Sequence, residues 1–308
     1  MTMQAPYYLR QSFLGNIPSM AISASDYESI LMAREILSAA LSIEEKYDLV
    51  LGNFLDFERE ILLLTMDQLT DHSFDYSKAY KILAVLNRRV ANFIYIGKNY
   101  TELIPSMASK CTLDKELIEV EVVALRKSLY DGNVEYRFAE ALRGHIMHCA
   151  DAVHLVSTPS KWSIKDGKKG DTLTFNLDVL SLNERLRENS SFKKSVLNEF
   201  GEKIDLKKVS RKYMGCISEL QVEVRKLISD SVDTSRQLIQ QFTNQYAEIN
   251  DGDAFGLAAY STIAIDAGSK PVSMTLEWDD IRIKLEEKND SISNMDKRCI
   301  SSALTGQK

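Results

Sequence analysis

The sequence lacks the features expected of a membrane protein, a secreted protein or a zinc-binding protein. It contains no run of about 18 apolar residues, the length that a transmembrane helix needs. Residues 1–16 carry one basic side chain and no compact apolar segment, so they do not resemble a signal peptide. The four cysteines form no Cys-x-x-Cys pair, which argues against a zinc knuckle or a disulfide framework. We expect buried, unreactive thiols in a reducing cytoplasm, and neither a cofactor nor a membrane partner.

Proline is also scarce, with five residues in a chain of 308. None lies between Pro18 and Pro105 or between Pro159 and Pro271, so long helices are permitted in both intervals. Apolar residues recur three and four positions apart in several stretches, which predicts amphipathic helices. These helices are predicted over residues 26–41, 43–67, 76–103, 113–130 and 134–150.

Short links between these helices indicate that neighbours pack antiparallel. Pro105 is expected to end the third helix, and the Asp-Gly-Asn of residues 131–133 is a tight connection before the fifth. In the fourth helix, Leu117, Val120 and Val123 share one apolar side. We therefore interpret residues 26–150 as an up-and-down bundle.

The hydrophobic period changes after residue 150. Residues 153–164 and 172–177 alternate in the manner of strands, and a glycine-bearing turn at 165–170 joins them, which predicts a β-hairpin. The tail from residue 286 is polar and is expected to be frayed. The remaining predicted elements are helices over 179–188, 192–200 and 206–244 and strands over 257–265 and 271–278.

The predicted fold is mainly α: an antiparallel helical bundle with an inserted β-hairpin and a small mixed C-terminal part. We divide the chain into three consecutive stretches. Residues 1–150 form the N-terminal helical bundle that carries the candidate site. Residues 151–250 form the hairpin and the helices that pack on the bundle, and residues 251–308 form short strands and a polar tail.

The charge of the chain is unevenly distributed. The formal net charge is −6, which does not favour a general nucleic-acid binder. Residues 155–215, however, contain 13 Lys and Arg against 8 Asp and Glu. Because local charge decides where a polyanion docks, this stretch could face a nucleic acid, although a solvated basic surface is the plainer alternative.

The most informative feature is the pair Arg143 and His148, separated by four residues late in the helix predicted over 134–150. A fixed cation and a group that exchanges protons near neutral pH are two main requirements for cleaving a phosphodiester without a metal. In an ideal helix the two side chains point about 140° apart. They could converge if the helix loosens at Gly144, if the arginine bends back, or across a dimer axis.

The other histidines of this region have plainer interpretations. His145 lies on the apolar side of the helix and is interpreted as a hydrogen-bonded core residue, whereas His148 lies off that side and suits a cleft. His154 is expected to be structural. No metal site is expected, because no further histidine, cysteine or carboxylate pair completes a ligand set. The chain also has no Walker-type loop, dinucleotide fingerprint or Gly-x-Ser-x-Gly elbow.

The segment Leu142-Arg-Gly-His-Ile-Met-His148 resembles the Leu-Arg-Asn-Tyr-x-Gln-His segment of HEPN-like proteins. An aromatic-rich helix precedes it, and Ala152-Val-His-Leu155 follows it. Two further stretches, 86–92 continuing to Tyr100 and 205–213 ending at Arg225, resemble one uncharacterised bacterial group with this motif. The resemblance implies an all-α bundle and a metal-independent ribonuclease of toxin or anti-phage systems.

The resemblance also implies roles for two residues. Arg143 would hold the scissile phosphate, and His148 would assist proton transfer while the RNA 2′-OH attacks the phosphorus and leaves a 2′,3′-cyclic phosphate. In such enzymes two chains usually join their motifs in one cleft, so a homodimer is implied. One departure matters: the family commonly has a polar residue, often asparagine, where this chain has Gly144.

Two main hypotheses follow. The first is a defence or toxin endoribonuclease with RNA as substrate and an antitoxin or another defence-system protein as partner. The second is a catalytically inactive HEPN-like scaffold or regulatory interaction protein. Metal-dependent hydrolysis is a third, weakly supported reading. In the first hypothesis Trp162 could stack on a base, although packing within the hairpin is the plainer role. The lysines expected to guide the RNA backbone are Lys165, Lys168, Lys169, Lys193, Lys194, Lys207 and Lys208.

Overall fold

The computed structural model describes residues 6–13, 17–71, 73, 75–148, 151–165, 168–262, 271–290, 292, 294–298 and 300. Over these residues the chain is mainly helical, with eight α-helices and small antiparallel sheets. The coarse prediction of a mainly α fold with minor β structure is confirmed. Within the same residues, no helix is both long and apolar enough to cross a membrane.

The helices range from one turn to more than forty residues. The longest begins with a reciprocal cap: the N–H of Asp26 donates to the Ser23 hydroxyl, and the N–H of Ser23 donates to the Asp26 carboxylate, both at 3.0 Å. In chain order the helices are α1 (Ala24–Asp67), α2 (Tyr76–Ser109), α3 (Lys115–Gly132), α4 (Val134–His148), α5 (Asn183–Arg187), α6 (Lys194–Leu197), α7 (Leu206–Glu248) and α8 (Asp279–Asn289).

The first helix is continuous where the sequence pattern predicted two helices, so that prediction is wrong. The hydroxyl of Ser42 donates to the carbonyl of Ser38 at 3.0 Å, and Nδ2 of Asn53 donates to the carbonyl of Leu49 at 2.9 Å. Side chains that would favour a turn are thereby satisfied inside the helix, and the backbone ladder continues through both positions.

The second helix continues past Pro105 to Ser109, so the prediction that proline ends it is also wrong. A proline has no N–H to offer the carbonyl four residues earlier, which here belongs to Thr101. A guanidinium N–H of Arg126, in α3, donates to that carbonyl at 2.9 Å instead. A donor from a neighbouring helix therefore replaces the missing backbone donor.

The strands form two sheets and one separate pair, all antiparallel. The sheet orders are β2-β1-β8-β9 and β3-β6-β7, and β4 pairs with β5. The strands are β1 (Tyr7–Gln11), β2 (Met20–Ala21), β3 (Leu155–Ser157), β4 (Ser160–Lys165), β5 (Lys168–Phe175), β6 (Asp178–Leu182), β7 (Lys203–Asp205), β8 (Leu257–Ser261) and β9 (Val272–Ser273).

Several of these assignments correct the sequence analysis. The predicted hairpin strand 153–164 is divided, since β3 pairs with β6 and only β4 pairs with β5, and β7 was not predicted. No element was predicted before residue 26, yet β1 and β2 lie there. A helix was predicted over 179–188, whereas the chain forms β6 and then the short α5. Val179 and Ser181 are fully buried and alternate with partly exposed neighbours, which is the two-residue period of a strand.

The chain divides into two compact units. Unit 1 comprises residues 1–46, 103–123 and 222–291, and unit 2 comprises residues 47–102, 124–221 and 292–308. Because α1, α2, α3 and α7 supply residues to both, the units do not coincide with the three consecutive stretches of the sequence analysis.

Charged groups are paired inside unit 1. Oδ1 of Asp279 lies 2.6 Å from Nε of Arg282, and neither side chain is more than 4% exposed. Arg282 also contacts Glu286 at 2.9 Å, so the stretch expected to be frayed from residue 286 begins inside α8. Arg225 and the buried Glu44 form a second pair at 2.6 Å. Such pairs tie helices together only while both partners are present.

Aromatic side chains fill unit 2. The ring of Tyr213 meets Tyr136 and Phe93 edge-on, with centroids 5.0 and 5.8 Å apart. The hydroxyl of Tyr47 donates to Ser218 at 3.0 Å, and that of Tyr100 donates to Gln221. These aromatic contacts and buried hydroxyl groups join α7 to α1, α2 and α4 within unit 2.

The apolar side that the sequence pattern marks on α3 faces outward. Leu117, Val120 and Val123 are 56%, 66% and 39% exposed, whereas Ile118 and Val122 are buried in unit 1. The helix has two apolar stripes at the same spacing, and the pattern alone does not say which one faces the core. We call Leu117, Val120 and Val123 the outer stripe of α3.

Among the described residues, each unit contains one buried free thiol, Cys111 in unit 1 and Cys216 in unit 2. Burial raises the pKa of each thiol to about 12. The expectation of buried, unreactive cysteines is confirmed for these two. Cys149 and Cys299 lie outside the described residues.

Candidate active site at the end of α4

The helix that carries Arg143 and His148, α4, belongs to unit 2. The backbone carbonyls just before it are hydrogen-bonded. Nδ2 of Asn133 donates to the carbonyl of Leu129 at 2.9 Å. Arg137 donates to the carbonyls of Tyr130 and Asp131 at 3.1 and 2.6 Å, which satisfies the free C-terminal end of α3. The buried side of α4 is formed by Tyr136, Phe138, Ala139, Leu142 and His145.

The two motif residues lie on different sides of α4. The helix continues through Gly144 to His148, and five residues of regular helix rotate the side-chain direction by about 140°. Arg143 is half-buried, and its Nε has no hydrogen-bond partner among the described residues. His148 is exposed. The regular helix therefore excludes the loosening at Gly144 that would bring the two groups together within one chain.

A cavity of about 740 Å³ opens beside His148. Tyr80, Asn87 and Arg88 of α2 line one wall. The end of α4 and Asp151, which follows it, line the other, while Arg143 is not among the lining residues. In one chain the imidazole of His148 thus shares an open cavity with the guanidinium of Arg88, a carboxylate, an amide and a phenol.

Asn87 holds the two walls of this cavity in place. Its Oδ1 accepts hydrogen bonds from the N–H groups of Ala152 and Val153, both at 2.8 Å. Its Nδ2 donates to the carbonyl of Val153 and to that of Leu83, both at 3.1 Å. All its hydrogen-bonding groups are used, so this amide fixes the stretch that follows the motif helix against α2.

His145 is buried and His154 is partly buried, and the two rings meet edge-on. Their ring centroids are 6.4 Å apart. Nδ1 of His145 lies 3.0 Å from Nδ2 of Asn189, which can only donate, and Nδ1 of His154 accepts the N–H of Leu182 at 2.9 Å. Burial lowers the pKa of both rings. The interpretation of His145 as a hydrogen-bonded core residue is confirmed.

The seven candidate RNA-binding lysines have unequal surroundings. Lys168, Lys169 and Lys194 are exposed, and Nζ of Lys169 lies 4.0 Å from the ring centroid of Trp162. The side chain of Lys165 lies outside the described residues. The other three are engaged: Lys193 donates to the Tyr130 hydroxyl at 2.9 Å, Lys207 to the Leu177 carbonyl at 2.5 Å, and Lys208 pairs with Glu135 at 3.1 Å.

A second cavity of about 260 Å³ lies along the same helix, and Leu83 lines both. Its other lining residues include Gln68, Lys78 and His154, together with the whole of β3. Lys78 is already paired with Asp71 at 2.8 Å. The second cavity therefore offers less free charge than the first.

No group of three or more His, Cys, Asp or Glu side chains among the described residues could hold a metal ion. No family model matches the chain, and no curated protein or solved structure matches it. The HEPN-like resemblance therefore rests on the motif and the two shorter stretches quoted above.

Sequence reasoning missed Arg88, Asn87, Asp151 and Tyr80 as neighbours of His148. The stretch 86–92 was singled out, but only for its resemblance. One signal was present: Asn87 is a polar residue between the apolar Leu86 and Val90 on a helix, and such residues commonly bind backbone groups elsewhere. No local spacing relates α2 to a histidine some sixty positions later.

Proposed function

We propose that the protein is a HEPN-like, metal-independent endoribonuclease of a bacterial defence or toxin system. In this proposal α1 to α4 form the antiparallel bundle of that family, and β4 and β5 form a hairpin inserted in this chain. The observation that carries the proposal is the position of His148, which is exposed at an open cavity that a guanidinium also lines. That combination suits a phosphate chain entering from solvent.

The chemistry follows from these groups. Unprotonated His148 accepts the proton of a ribose 2′-OH while that oxygen attacks the neighbouring phosphorus. The bond from phosphorus to O5′ breaks, and O5′ takes up a proton, which leaves a 2′,3′-cyclic phosphate and a 5′-OH. Arg143 stabilises the charge that develops on the non-bridging oxygens.

The divergence of Arg143 and His148 within one chain favours a homodimer, in which Arg143 of one protomer meets His148 of its partner. Exposed apolar side chains at the cavity would be covered in such a dimer. Tyr80 and Met147, which line the cavity, are 73% and 50% exposed, and Tyr76 on the same helix as Tyr80 is 84% exposed. Aromatic and methionine side chains in this setting are typical of protein interfaces.

RNA would reach the cavity along basic residues of unit 2. The exposed Lys168, Lys169 and Lys194 are the members of the predicted set best able to contact phosphates. Lys193, Lys207 and Lys208 would have to exchange an existing partner first.

The test is RNA cleavage in EDTA by the wild type, Arg143→Ala and His148→Ala, with Arg59→Ala as the control. Arg59 is an exposed arginine of unit 2 whose only described ion pair is to Asp56, three residues away. We expect each motif variant to lose at least about 100-fold in rate, since a general base contributes that much or more. Arg59→Ala should cleave like the wild type.

Two results would contradict the ribonuclease proposal. Equal cleavage by all four proteins would separate the activity from the motif. Loss of wild-type activity in EDTA, restored by a divalent metal, would replace the proposed chemistry by a metal-dependent one.

A specific observation supports the alternative, a catalytically inactive HEPN-like scaffold or regulatory protein. Gly144 leaves a gap where the family commonly has a polar side chain, and a β-carbon there would meet no heavy atom within 4 Å. If the site is degenerate, Gly144→Asn should confer cleavage on an inactive wild type. If neither protein cleaves any RNA tested, the scaffold is the better proposal.

The outer stripe of α3 is where a regulatory partner, such as an antitoxin, would dock. Its three exposed apolar side chains alternate with Glu116, Glu119 and Glu121 along the helix. We propose that the partner offers an amphipathic helix with basic flanks, since acidic flanks would be repelled.

A further inference from the structure

Two adjacent arginines of α2 have different surroundings. Arg89 is half-buried, with Nε 3.1 Å from Glu60 and Nη1 3.5 Å from Asp56. Arg88 is exposed, lines the cavity beside His148, and makes no hydrogen bond or ion pair with any described residue. Arg89 therefore serves the fold, whereas Arg88 keeps all its donors available for a ligand.

The backbone from which Arg88 projects is held in place by its neighbour. Asn87 binds the backbone at positions 152 and 153 through three hydrogen bonds of 2.8 to 3.1 Å. This contact joins the part of α2 that carries Arg88 to the stretch that follows His148. The helix position of Arg88 beside His148 is therefore fixed, while its guanidinium stays free to turn toward a ligand.

The space between these groups exists because α2 carries small residues there. Ala84 and Ala91 line the same cavity, one turn before and one turn after Arg88. Their short side chains leave the wall open, and Tyr80 stands at its edge with 73% of its surface exposed. Such a site offers a cation, a proton-exchanging ring and a phenol on which a base can stack.

We propose that Arg88 and His148 of the same chain form an anion subsite that binds one phosphate of a single-stranded RNA backbone. This inference rests on the proposed ribonuclease function and adds a substrate-contacting residue that the motif does not contain. Arg88 binds the non-bridging oxygens bidentately, while Arg143 of the partner protomer approaches the same phosphate from the other side. Asp151 is the one carboxylate among the described lining residues.

Two measurements test the subsite. The first is binding of a fluorescein-labelled, fully 2′-O-methylated oligoribonucleotide, which cannot be cleaved, measured by anisotropy at several salt concentrations. The second is cleavage of the unmodified oligoribonucleotide in EDTA. The proteins are the wild type, Arg88→Gln, Arg88→Lys, Ala84→Leu and the control Arg59→Gln.

We expect Arg88→Gln to weaken binding about tenfold and to reduce the slope of log affinity against log salt by about 0.7, the value for one lost phosphate contact. Its cleavage should fall at least about 30-fold, since a binding and a transition-state contact are both lost. Arg88→Lys should recover part of the binding, because the charge remains while the bidentate geometry is lost. Ala84→Leu should impair both activities by filling the cavity, with Arg88 still present.

The outcomes separate the two proposals. If the wild type cleaves and Arg88→Gln binds and cleaves like Arg59→Gln, the subsite is wrong and the ribonuclease proposal stands. If the wild type binds without cleaving and Arg88→Gln alone weakens binding, the subsite stands and the ribonuclease proposal fails. A wild type that neither binds nor cleaves overturns both. Equal thermal unfolding midpoints confirm that the variants are folded, as expected for an exposed residue.

Discussion

Gly144 lies inside a regular helix, and no neighbouring group requires a glycine at this position. A β-carbon there would meet no heavy atom within 4 Å, and its φ is not in the left-handed region. Alanine is favoured over glycine by about 1 kcal/mol in a helix interior. We therefore expect Gly144→Ala to raise the free energy of unfolding by about 0.5–1 kcal/mol, measured by urea denaturation.

Gly97 provides the opposite control for that prediction. It also lies inside a helix, α2, but a β-carbon there would sit 2.7 Å from Cε1 of Tyr213 and 3.1 Å from Cδ1 of Ile217. Gly97→Ala should lower the free energy of unfolding, because the aromatic core of unit 2 must shift. Equal effects of the two substitutions would contradict the packing described here.

The pair His145 and His154 predicts how stability depends on pH. Burial lowers the pKa of each ring below its ordinary value of 6.5. A group with a depressed pKa contributes stability that is fully present above the unfolded value and is lost as the pH falls below it. For each histidine the loss is at most about 1.4 kcal/mol per pH unit. The free energy of unfolding should therefore fall as the pH drops below about 6.5.

His154→Asn tests this dependence without removing a key contact. Oδ1 of asparagine can still accept the N–H of Leu182, which Nδ1 of His154 accepts at 2.9 Å. In urea titrations at about pH 7.5 and about pH 5.5, the variant should lose less stability than the wild type. A variant that loses as much as the wild type would show that His154 does not titrate on unfolding.

At the scale of elements, the long helices could be predicted and their interruptions could not. Apolar residues at three- and four-residue spacing identify the helical regions of α1, α2 and α7, although not the continuity of α1 or the end of α2, because that spacing is a property of the local chain. Pro105 does not end α2, because the donor that rescues the Thr101 carbonyl comes from Arg126, 25 residues away. A tertiary partner of this kind leaves no trace in local spacing.

The candidate site divides in the same way. The buried side of α4 and the exposure of His148 follow from helical periodicity alone. The neighbours of His148 do not follow from helical periodicity, because Arg88 and Asn87 belong to another helix. β1 and β2 were missed because strands of five and two residues carry too few positions to show a period.

The two stripes of α3 allow a direct comparison of adjacent residues. Leu117→Ala should change the free energy of unfolding by less than about 0.5 kcal/mol, because this side chain is exposed. Ile118→Ala should cost about 2–4 kcal/mol, because a buried side chain is removed. Urea denaturation of the two variants checks the orientation of the helix. The reverse order of effects would mean that the outer stripe is buried.

At the scale of the whole molecule, the proposed dimer makes a quantitative prediction. Arg143→Ala and His148→Ala are each expected to be inactive alone. If each cleft combines Arg143 of one protomer with His148 of its partner, a mixed dimer of the two variants retains one intact cleft. An equimolar mixture after subunit exchange should therefore recover about a quarter of wild-type cleavage.

The same mixture has a built-in control. Adding Tyr76→Glu to both variants places charge on an exposed side chain of α2 that does not line the cavity, and this should abolish the recovery. Light scattering after size-exclusion chromatography should show that these proteins are monomers. Recovery of no activity by a mixture shown to contain mixed dimers would mean that the two motif residues do not act across protomers.

The two buried thiols allow local opening of the native protein to be measured. Iodoacetamide attacks only an accessible thiolate, and Cys111 and Cys216 are sequestered and protonated, one in each unit. Peptide mass spectrometry after timed alkylation would therefore measure the opening rate of each unit independently in a single sample. If RNA or a partner protein slows the alkylation of Cys216 alone, that ligand stabilises unit 2 against opening.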